Sequence, residues 1–299
     1  MSIEALCELL GYSKQAYYKK MNSKRRNDYK ELLIVELIKD KRKLWKKGSG
    51  RNLHKSLESE FEKHRIKVGR DKFYELLRKY DLLIKSNNRR TRTTYSYHHF
   101  RKYPNLIENK EAQRPNHILV SDITYIWLTD QECFAYLFLT TDVYSRKILG
   151  YCLSNNLKAE AALKTIKRAL IGANNTEDSI HHSDRGVQYC CDLYTDYLKS
   201  KNIKISMTQN GDPLENPIAE RVNKTIKEEF TLQKQLTFSS FSEAKIMIPK
   251  IIKFYNQKRP HRSIDMLTPE VAYKSSGKLK RRWKNYYKSN SLNKSLELI

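Results

Sequence analysis

The chain predicts an α/β protein: a mixed five-stranded sheet in the order βββαβαβα, preceded by a small helical region. Three observations carry this. Before residue 85 apolar residues recur at helical spacing. From residue 117 three runs rich in β-branched and aromatic residues follow one another closely. Between residues 157 and 207 such runs then alternate with stretches of helical periodicity.

Taken in order, Ser2 to Lys20 reads as two short helices broken at Gly11, with Ser13 as N-cap of the second. They resemble part of a helix-turn-helix and equally suit a solvated hairpin. Tyr29 to Lys47 forms a helix with Leu33, Leu37 and Leu44 on a stripe widened by Ile34, Val35, Ile38 and Trp45, ended by Gly48-Ser49-Gly50. A helix over Asn52–Lys63 (Leu53, Leu57, Phe61) follows. Another over Arg70–Tyr80 turns Phe73, Leu76 and Leu77 inward and leaves Arg70, Lys72, Arg78 and Lys79 at or near its surface. Three short helices with a basic last one suit a DNA-binding module whose third helix enters the major groove. A bundle that contacts only protein is the alternative. Leu82 to Ile107 has no acidic residue and interleaves Lys85, Arg89, Arg90, Arg92, Arg101 and Lys102 with Tyr95, Tyr97, Phe100 and Tyr103. It suits a linker tracking a phosphate backbone or stacking on bases, or one that makes no specific contact.

The strand runs are HILVSDITYIWL, CFAYLFLTTDVYSR and KILGYCLS, joined by turns near Thr129–Gln131 and Ser145-Arg146 into an antiparallel meander. Both faces of the first run are largely apolar, so it is expected to be central and covered on both sides. Helix (Leu157–Gly172), strand (Ser179–Ser183), helix (Tyr189–Ser200) and strand (Ile203–Met207) follow, then a helix from about Glu215 and another over Phe241–Gln257.

Three acids stand out on this frame. Asp122 interrupts the first strand, Asp184 sits where the fourth strand ends, and Glu220 lies on the following long helix with 35 residues between it and Asp184. A carboxylate inside a covered strand is costly unless paired or bound to a cation. Three converging carboxylates make an oxygen-rich site suited to magnesium or manganese and to metal-assisted phosphoryl transfer. Asp142 reads as a turn acid beside Arg146, and Asp212 and Glu215 as helix-start groups around Pro213. His181-His182 has no companion ligands at zinc spacing and reads as packing or a phosphate contact. On the helix that starts near Glu215, Glu220 and Lys227 are two turns apart and share a face; Asn223, Lys224 and Lys227 are placed to meet DNA phosphate.

Composition narrows the partner. Lys and Arg number 58 against 33 Asp and Glu, a formal charge of +25, which suits a polyanion such as nucleic acid. Five cysteines without a CxxC pair disfavour a disulfide scaffold or zinc ribbon and fit a reducing cytoplasm. No apolar run reaches membrane-spanning length, and the N-terminus lacks signal-peptide character, so a soluble cytoplasmic, nucleoid-associated protein without a membrane partner is expected. Arg259-Pro260-His261 suits either phosphate binding or a helix cap, and the tail around Arg281 and Arg282 is a basic-aromatic patch expected to touch DNA.

The order βββαβαβα with acids on the first strand, after the fourth and on the last helix is the ribonuclease-H-like layout. The chain resembles the catalytic (OrfB-type) DDE transposases of the bacterial insertion-sequence-three class, relatives of retroviral integrases. The resemblance rests on Asp122-Ile123-Thr124-Tyr125, on Asp142 through Gly150, on His182-Ser183-Asp184-Arg185-Gly186, and on Gln188-Tyr189. It continues through Glu215-Asn216, Ala219-Glu220, Lys227 seven beyond the glutamate, Tyr255-Asn256, Arg259-Pro260-His261 and Leu267-Thr268-Pro269. The segment Gln209–Leu214 departs from the version many relatives carry. The resemblance implies a catalytic Asp122–Asp184–Glu220 triad holding two Mg²⁺ ions, with Mn²⁺ able to substitute. It implies cleavage and strand transfer by 3′-hydroxyl attack on phosphodiesters at the element's terminal inverted repeats and in target DNA. A circular intermediate, a homo-oligomer on DNA and an upstream helix-turn-helix partner or fusion are further implications. The expected domains are 1–24 (short helical segment), 25–84 (helix-turn-helix-like module), 85–112 (basic linker), 113–275 (catalytic core) and 276–299 (basic tail). A plain ribonuclease-H-like nuclease and a non-catalytic DNA-binding regulator are the rivals. The repeat sequence, target preference and oligomeric state are not encoded in any of these patterns.

Overall fold

A computed structural model describes residues 3–84, 99–108, 110–173, 176–209, 215–231 and 236–280. Arg89, Arg90 and Arg92, the segment 210–214 with Asp212, and the tail with Arg281 and Arg282 lie outside the described residues. The chain divides into two compact units, Met1–Lys85 and Ser86–Ile299.

The first unit holds α1 (Ile3–Leu9), α2 (Lys14–Leu44), α3 (Gly50–Lys63) and α4 (Arg70–Lys79). Ser13 caps α2 by accepting from Ala16 N at 3.1 Å, and Ser49 caps α3 by accepting from Asn52 N at 3.4 Å. The core joins Ile34, Val35, Ile38 and Trp45 to Leu53, Leu57 and Phe61 of α3 and Phe73, Leu76 and Leu77 of α4, all buried. Gly48 is required by close approach, because a Cβ there would lie 2.6 Å from the Trp45 ring. Where two helices separated near residues 21–28 are expected, α2 runs unbroken for 31 residues. The intervening MNSKRRND has neither Gly nor Pro and keeps ordinary helix propensity, so nothing ends the helix.

The second unit is built on a sheet of order β3-β2-β1-β4-β5. Strands β1 (Ile118–Leu128), β2 (Cys133–Asp142) and β3 (Ile148–Ser154) are antiparallel; β4 (Ile180–Ser183) and β5 (Lys204–Met207) add in parallel. This is the ribonuclease-H-like arrangement. A further strand, β6 (Thr237–Phe238), pairs with Trp127 and Leu128. Because β2 flanks β1 along its whole length, β4 and β6 share the other edge of β1, one at each end. A two-residue strand leaves no periodic trace, and the sequence does not announce it.

One face of the sheet packs Leu119, Phe138 and Cys152 against α5 (Ala159–Ala169), α6 (Val187–Cys190) and α7 (Asp192–Ser200). The other packs Ile118 and Val120 against Ala219 of α8 (Pro217–Glu229). The expected helix over Tyr189–Ser200 is split at Cys191, which has extended backbone. Part of the expected linker belongs to this core: Phe100 and Tyr103 pack against it, and Pro104 O accepts from Met207 N on β5 at 3.3 Å. Apolar rings gain more from that burial than from solvent. Helix α9 (Phe241–Lys258) covers the β3 end, where Asn256 accepts from Ile148 N at 3.0 Å and donates to Ile148 O at 2.9 Å. That exchange imitates a neighbouring strand and satisfies a sheet edge. Helix α10 (Pro269–Tyr273) follows it.

Asp142 has the structural role expected of it. Its carboxylate accepts from Asn116 N at 2.9 Å, Ser145 N at 2.8 Å and Ser145 Oγ at 2.5 Å, clamping the β2–β3 turn. Gly150 marks the closest strand–helix approach: a Cβ there would lie 2.2 Å from Thr165 O and 2.7 Å from Ala169 N of α5. Gly150→Ala is therefore expected to destabilise the protein by about 1–3 kcal/mol or more, whereas Gly69→Ala, with nothing within 4 Å of its Cβ, leaves the urea midpoint nearly unmoved.

Candidate active site

Sheet register brings the two aspartates together. Val120 pairs with His182 across the parallel β1–β4 ladder, and two residues further along each chain stand Asp122 and Asp184. Asp122 has the parity of Ile118 and Val120, so it faces the layer where α8 packs. There Asn223 of α8 donates to Asp122 Oδ2 at 2.7 Å, while Ile123 N donates to Oδ1 at 2.8 Å. Asp184 follows the end of β4 and accepts from Gly186 N on Oδ1 at 3.0 Å. A Cβ on Gly186 would press to 3.0 Å from that same oxygen, so glycine lets the turn close over the carboxylate.

The acids feel one another. Burial pushes the Asp122 carboxyl up to about 7; the Asp184 and Glu220 charges add to the rise, and the bonds from Ile123 and Asn223 oppose it. Glu220 itself is an exposed residue in the first turn of α8. Two further contacts fix this helix. Near its start Asn216 donates to Ser121 O of the sheet at 3.3 Å. At its end Glu229 forms a bidentate pair with Arg259, at 2.7 and 2.6 Å.

Beneath Asp122 lies a buried polar network. Ser121 Oγ is 2.8 Å from Thr140 Oγ1 and 2.8 Å from His181 Nε2, which is 2.9 Å from the Tyr194 hydroxyl. His182 Nδ1 lies 2.8 Å from Ser206 Oγ. Burial lowers His181 to about 3 and His182 to about 4, so both rings are neutral and serve packing.

The other expected contact residues are distributed differently. Asn223 is buried and bonded to Asp122, so it braces a carboxylate. Arg259 is buried, and its third guanidinium nitrogen lies 2.9 Å from His261 Nε2, whose ring stands edge-on to Tyr255 at 4.9 Å. Both residues are therefore bonded inside the fold, beside the end of the helix they follow. Lys224 is exposed, 3.9 Å from Glu228, and Lys227 is half-buried on α8. Arg70, Lys72 and Lys79 are in the other unit, paired with Asp71, Glu75 and Glu31. Asn223 was legible only as a residue near Glu220, because its partner is 101 positions away.

Three carboxylates with no nitrogen or sulfur donor among them are the ligand chemistry of a hard divalent cation. Their mutual repulsion, felt in the raised Asp122, is what such an ion relieves. Among the described residues no three acidic, histidine or cysteine side chains stand close enough to hold an ion as they are. Asp122 and Asp184 lie in register, and Glu220 shares their electrostatic neighbourhood without closing the set.

Known proteins share much of this sequence. An integrase core domain family matches residues 112–213, and a second family of the same description matches residues 201–269. The chain is 29% identical over 269 residues to an uncharacterized 31 kDa protein of insertion element IS600 from Shigella sonnei, covering 88% of this chain and 96% of that one. It is 32% identical over 184 residues to the transposase for insertion sequence element IS904 from Lactococcus lactis, covering 59% and 71%. It is 31% identical over 168 residues to the putative transposase InsK for element IS150 from Escherichia coli, covering 56% and 58%.

Two outcomes follow from the electrostatics. A carboxyl near 7 in the folded chain, against about 3.9 when unfolded, takes up protons on folding. Its stabilising contribution is complete below about pH 4 and is lost as pH rises through about 7. In metal-free buffer Asp122→Asn should remove that loss, so its melting temperature gains on the wild type between acid and mildly alkaline pH. Arg259→Met leaves the half-buried Glu229 without its arginine and should cost about 3 kcal/mol in urea denaturation, much of it recovered when Glu229→Leu is added.

Proposed function

The chain belongs to the integrase-core transposases of bacterial insertion sequences, and we propose that Asp122, Asp184 and Glu220 are its catalytic acids. The protein catalyses DNA strand cleavage and strand transfer in transposition. The observation that supports the site assignment is the register match of Asp122 with Asp184 beneath a helix that carries Glu220 and is bonded to Asp122 through Asn223.

In this reading the three carboxylates hold two Mg²⁺ ions, or Mn²⁺ in their place. Bound there, such ions supply polarisation of the attacking oxygen and charge stabilisation of the leaving one. The chain's own groups set the stage. Ile123 N and the Asn223 amide fix both oxygens of Asp122, and Gly186 N fixes one oxygen of Asp184. Preorganised ligands need no rearrangement as charge develops. The neighbouring Asp184 and Glu220 charges that help raise Asp122 are the repulsion a bound cation would relieve. In cleavage a water oxygen bonds to phosphorus as the P–O3′ bond breaks, leaving a 3′-hydroxyl. In transfer that hydroxyl oxygen bonds to a second phosphorus as another P–O bond breaks. One phosphodiester is exchanged for another, so no nucleotide cofactor is consumed.

Lys224 and Lys227 of α8 flank the acids and suit the backbone of the cut strand. The partner is double-stranded DNA, the element's terminal repeats and its target. Handling two ends together calls for a homo-oligomer, and an upstream helix-turn-helix segment fits as a fusion or companion. The module 25–84 and the basic segments 85–112 and 276–299 are read as DNA-contacting parts around the core 113–275. Joining one element end beside the other, to give a circle, is the first transfer step in this reading. Among the described residues no helix is long and apolar enough to cross a membrane.

The test uses purified protein, Mg²⁺ and labelled DNA carrying the element's ends. Asp122→Asn, Asp184→Asn and Glu220→Gln should each reduce nicking and joined-strand products by at least a thousandfold (about 4 kcal/mol of barrier), with duplex binding retained. Nicking without joined strands in the wild type would instead identify a nuclease, and loss of neither step in the variants would remove the triad.

A further inference from the structure

The first half of α2 is exposed nearly all round. From Lys14 to Lys30 only Tyr17 and Met21 are even half-buried, although the helix continues without a break into the packed stretch around Ile34, Val35 and Ile38. A helix that buries no stripe gains nothing from tertiary packing and normally frays. This one also works against itself electrostatically. It carries Lys14, Lys19, Lys20, Lys24, Arg25, Arg26 and Lys30 against the single Asp28, a formal excess of 7 minus 1. Lys20 and Lys24, and Arg26 and Lys30, are like charges four apart, each pair unfavourable.

Among the described residues only Lys14 of these seven has an acidic partner, Glu4 at 3.5 Å. The contrast with α4 is sharp. Its Arg70, Lys72 and Lys79 each meet a carboxylate within 3.3 Å. Positive charge on α4 is largely answered by carboxylates; in the first half of α2, among the described residues, it is not, with Lys20 over the Tyr12 ring and Arg26 on Asn22 O as neutral contacts. Beside the basic half, a hollow of about 310 Å³ opens among Arg25, Arg26, Tyr29, Lys30 and the His64–Ile66 turn after α3, a concave seat rimmed with positive groups.

Resting on the transposase reading, we infer that the exposed half of α2, Lys14 to Lys30, is a duplex-DNA contact surface that lies along the phosphate backbone, separate from the recognition face expected on α4. Charge complementarity selects the occupant: six cations without an acidic partner among the described residues, Lys19 to Lys30, set along about 17 Å of helix at 1.5 Å per residue, suit a phosphate backbone. The contact is read as sequence-independent, because cations outnumber every other polar group on this stretch and phosphate contacts supply affinity and not readout. Like-charge repulsion in the free helix is relieved only when the polyanion is bound.

Full-length protein and a short fluorescein-labelled duplex of arbitrary sequence, followed by anisotropy across a salt series, test this. The variant Lys19→Gln, Lys20→Gln, Lys24→Gln, Arg25→Gln, Arg26→Gln, Lys30→Gln keeps good helix formers throughout. It should flatten the slope of log K against log salt by about five, at about 0.9 for each phosphate no longer neutralised. An equal removal of charge on the α5–α7 face (Lys158, Lys164, Lys167, Lys199, Lys201 and Lys204, each to Gln) should leave the slope close to wild type. The double variant Arg25→Gln, Arg26→Gln, with a flattening of about two, gives the same reading if the sixfold variant folds poorly. Circular dichroism should show helix content unchanged or raised, opposite to what removing a structural anchor produces. An unmoved slope with the helix intact, or an equal fall in the α5–α7 variant, overturns the inference and leaves an acidic protein face as the occupant. Wild-type protein that binds no duplex at all overturns the transposase reading together with it.

Discussion

A carboxylate built into the central strand of a covered sheet is the constraint that arranges this core. Asp122 is half-buried on the central strand, where an isolated charge is expensive, and the fold answers with groups from three directions. Its own following amide and Asn223 of α8 bond its two oxygens, and the parallel pairing of β1 with β4 sets Asp184 beside it. The result is a charge cluster only partly compensated, whose Asp122 proton is held to about 7. Such a site is primed for a cation, and the stability sacrificed to build it is the counterpart of its chemistry.

Helix α8 converts that local constraint into a site. Ala219 packs on Ile118 and Val120, Asn223 reaches Asp122, and Glu220 rides between them on the same first turns. Because the helix carries both a brace and an acid, its axial position decides whether the third carboxylate meets the other two. The largely buried Arg259–Glu229 pair at its far end, backed by His261 and Tyr255, opposes sliding. Breaking such a pair strands a charge in low-polarity surroundings, so it resists displacement even where its net worth is small. The Arg-Pro-His segment is thus tied to the far end of the helix that carries Glu220.

The two units divide the electrostatic labour. In the core, Asp122 and Asp184 stand together in one crevice at the carboxyl end of β4, the end of a parallel pair where crevices form. In the N-terminal unit, excess charge is positive, exposed and strung along a continuous helix.

Much of the core was legible in the amino-acid sequence because each strand and helix carried its own period. The meander from 117 to 154, the alternation that follows and the placement of Asp122, Asp184 and Glu220 on strand, strand end and helix all rest on local patterns, and so did the turn role of Asp142. What local patterns could not carry was pairing at a distance. That Asn223 braces Asp122, that Arg259 turns inward to Glu229, that Phe100 and Tyr103 join the core, and that Thr237–Phe238 completes the edge of β1 each depend on partners remote in the chain. The continuity of α2 lies between these cases: its composition permits a helix, but only the anchoring of its second half in the three-helix core makes the polar first half a continuation. Sequence determined which groups were available and what each costs to bury; tertiary structure decided which of them meet, because hydrogen bonds and ion pairs are short-ranged and the chain reaches them only by folding.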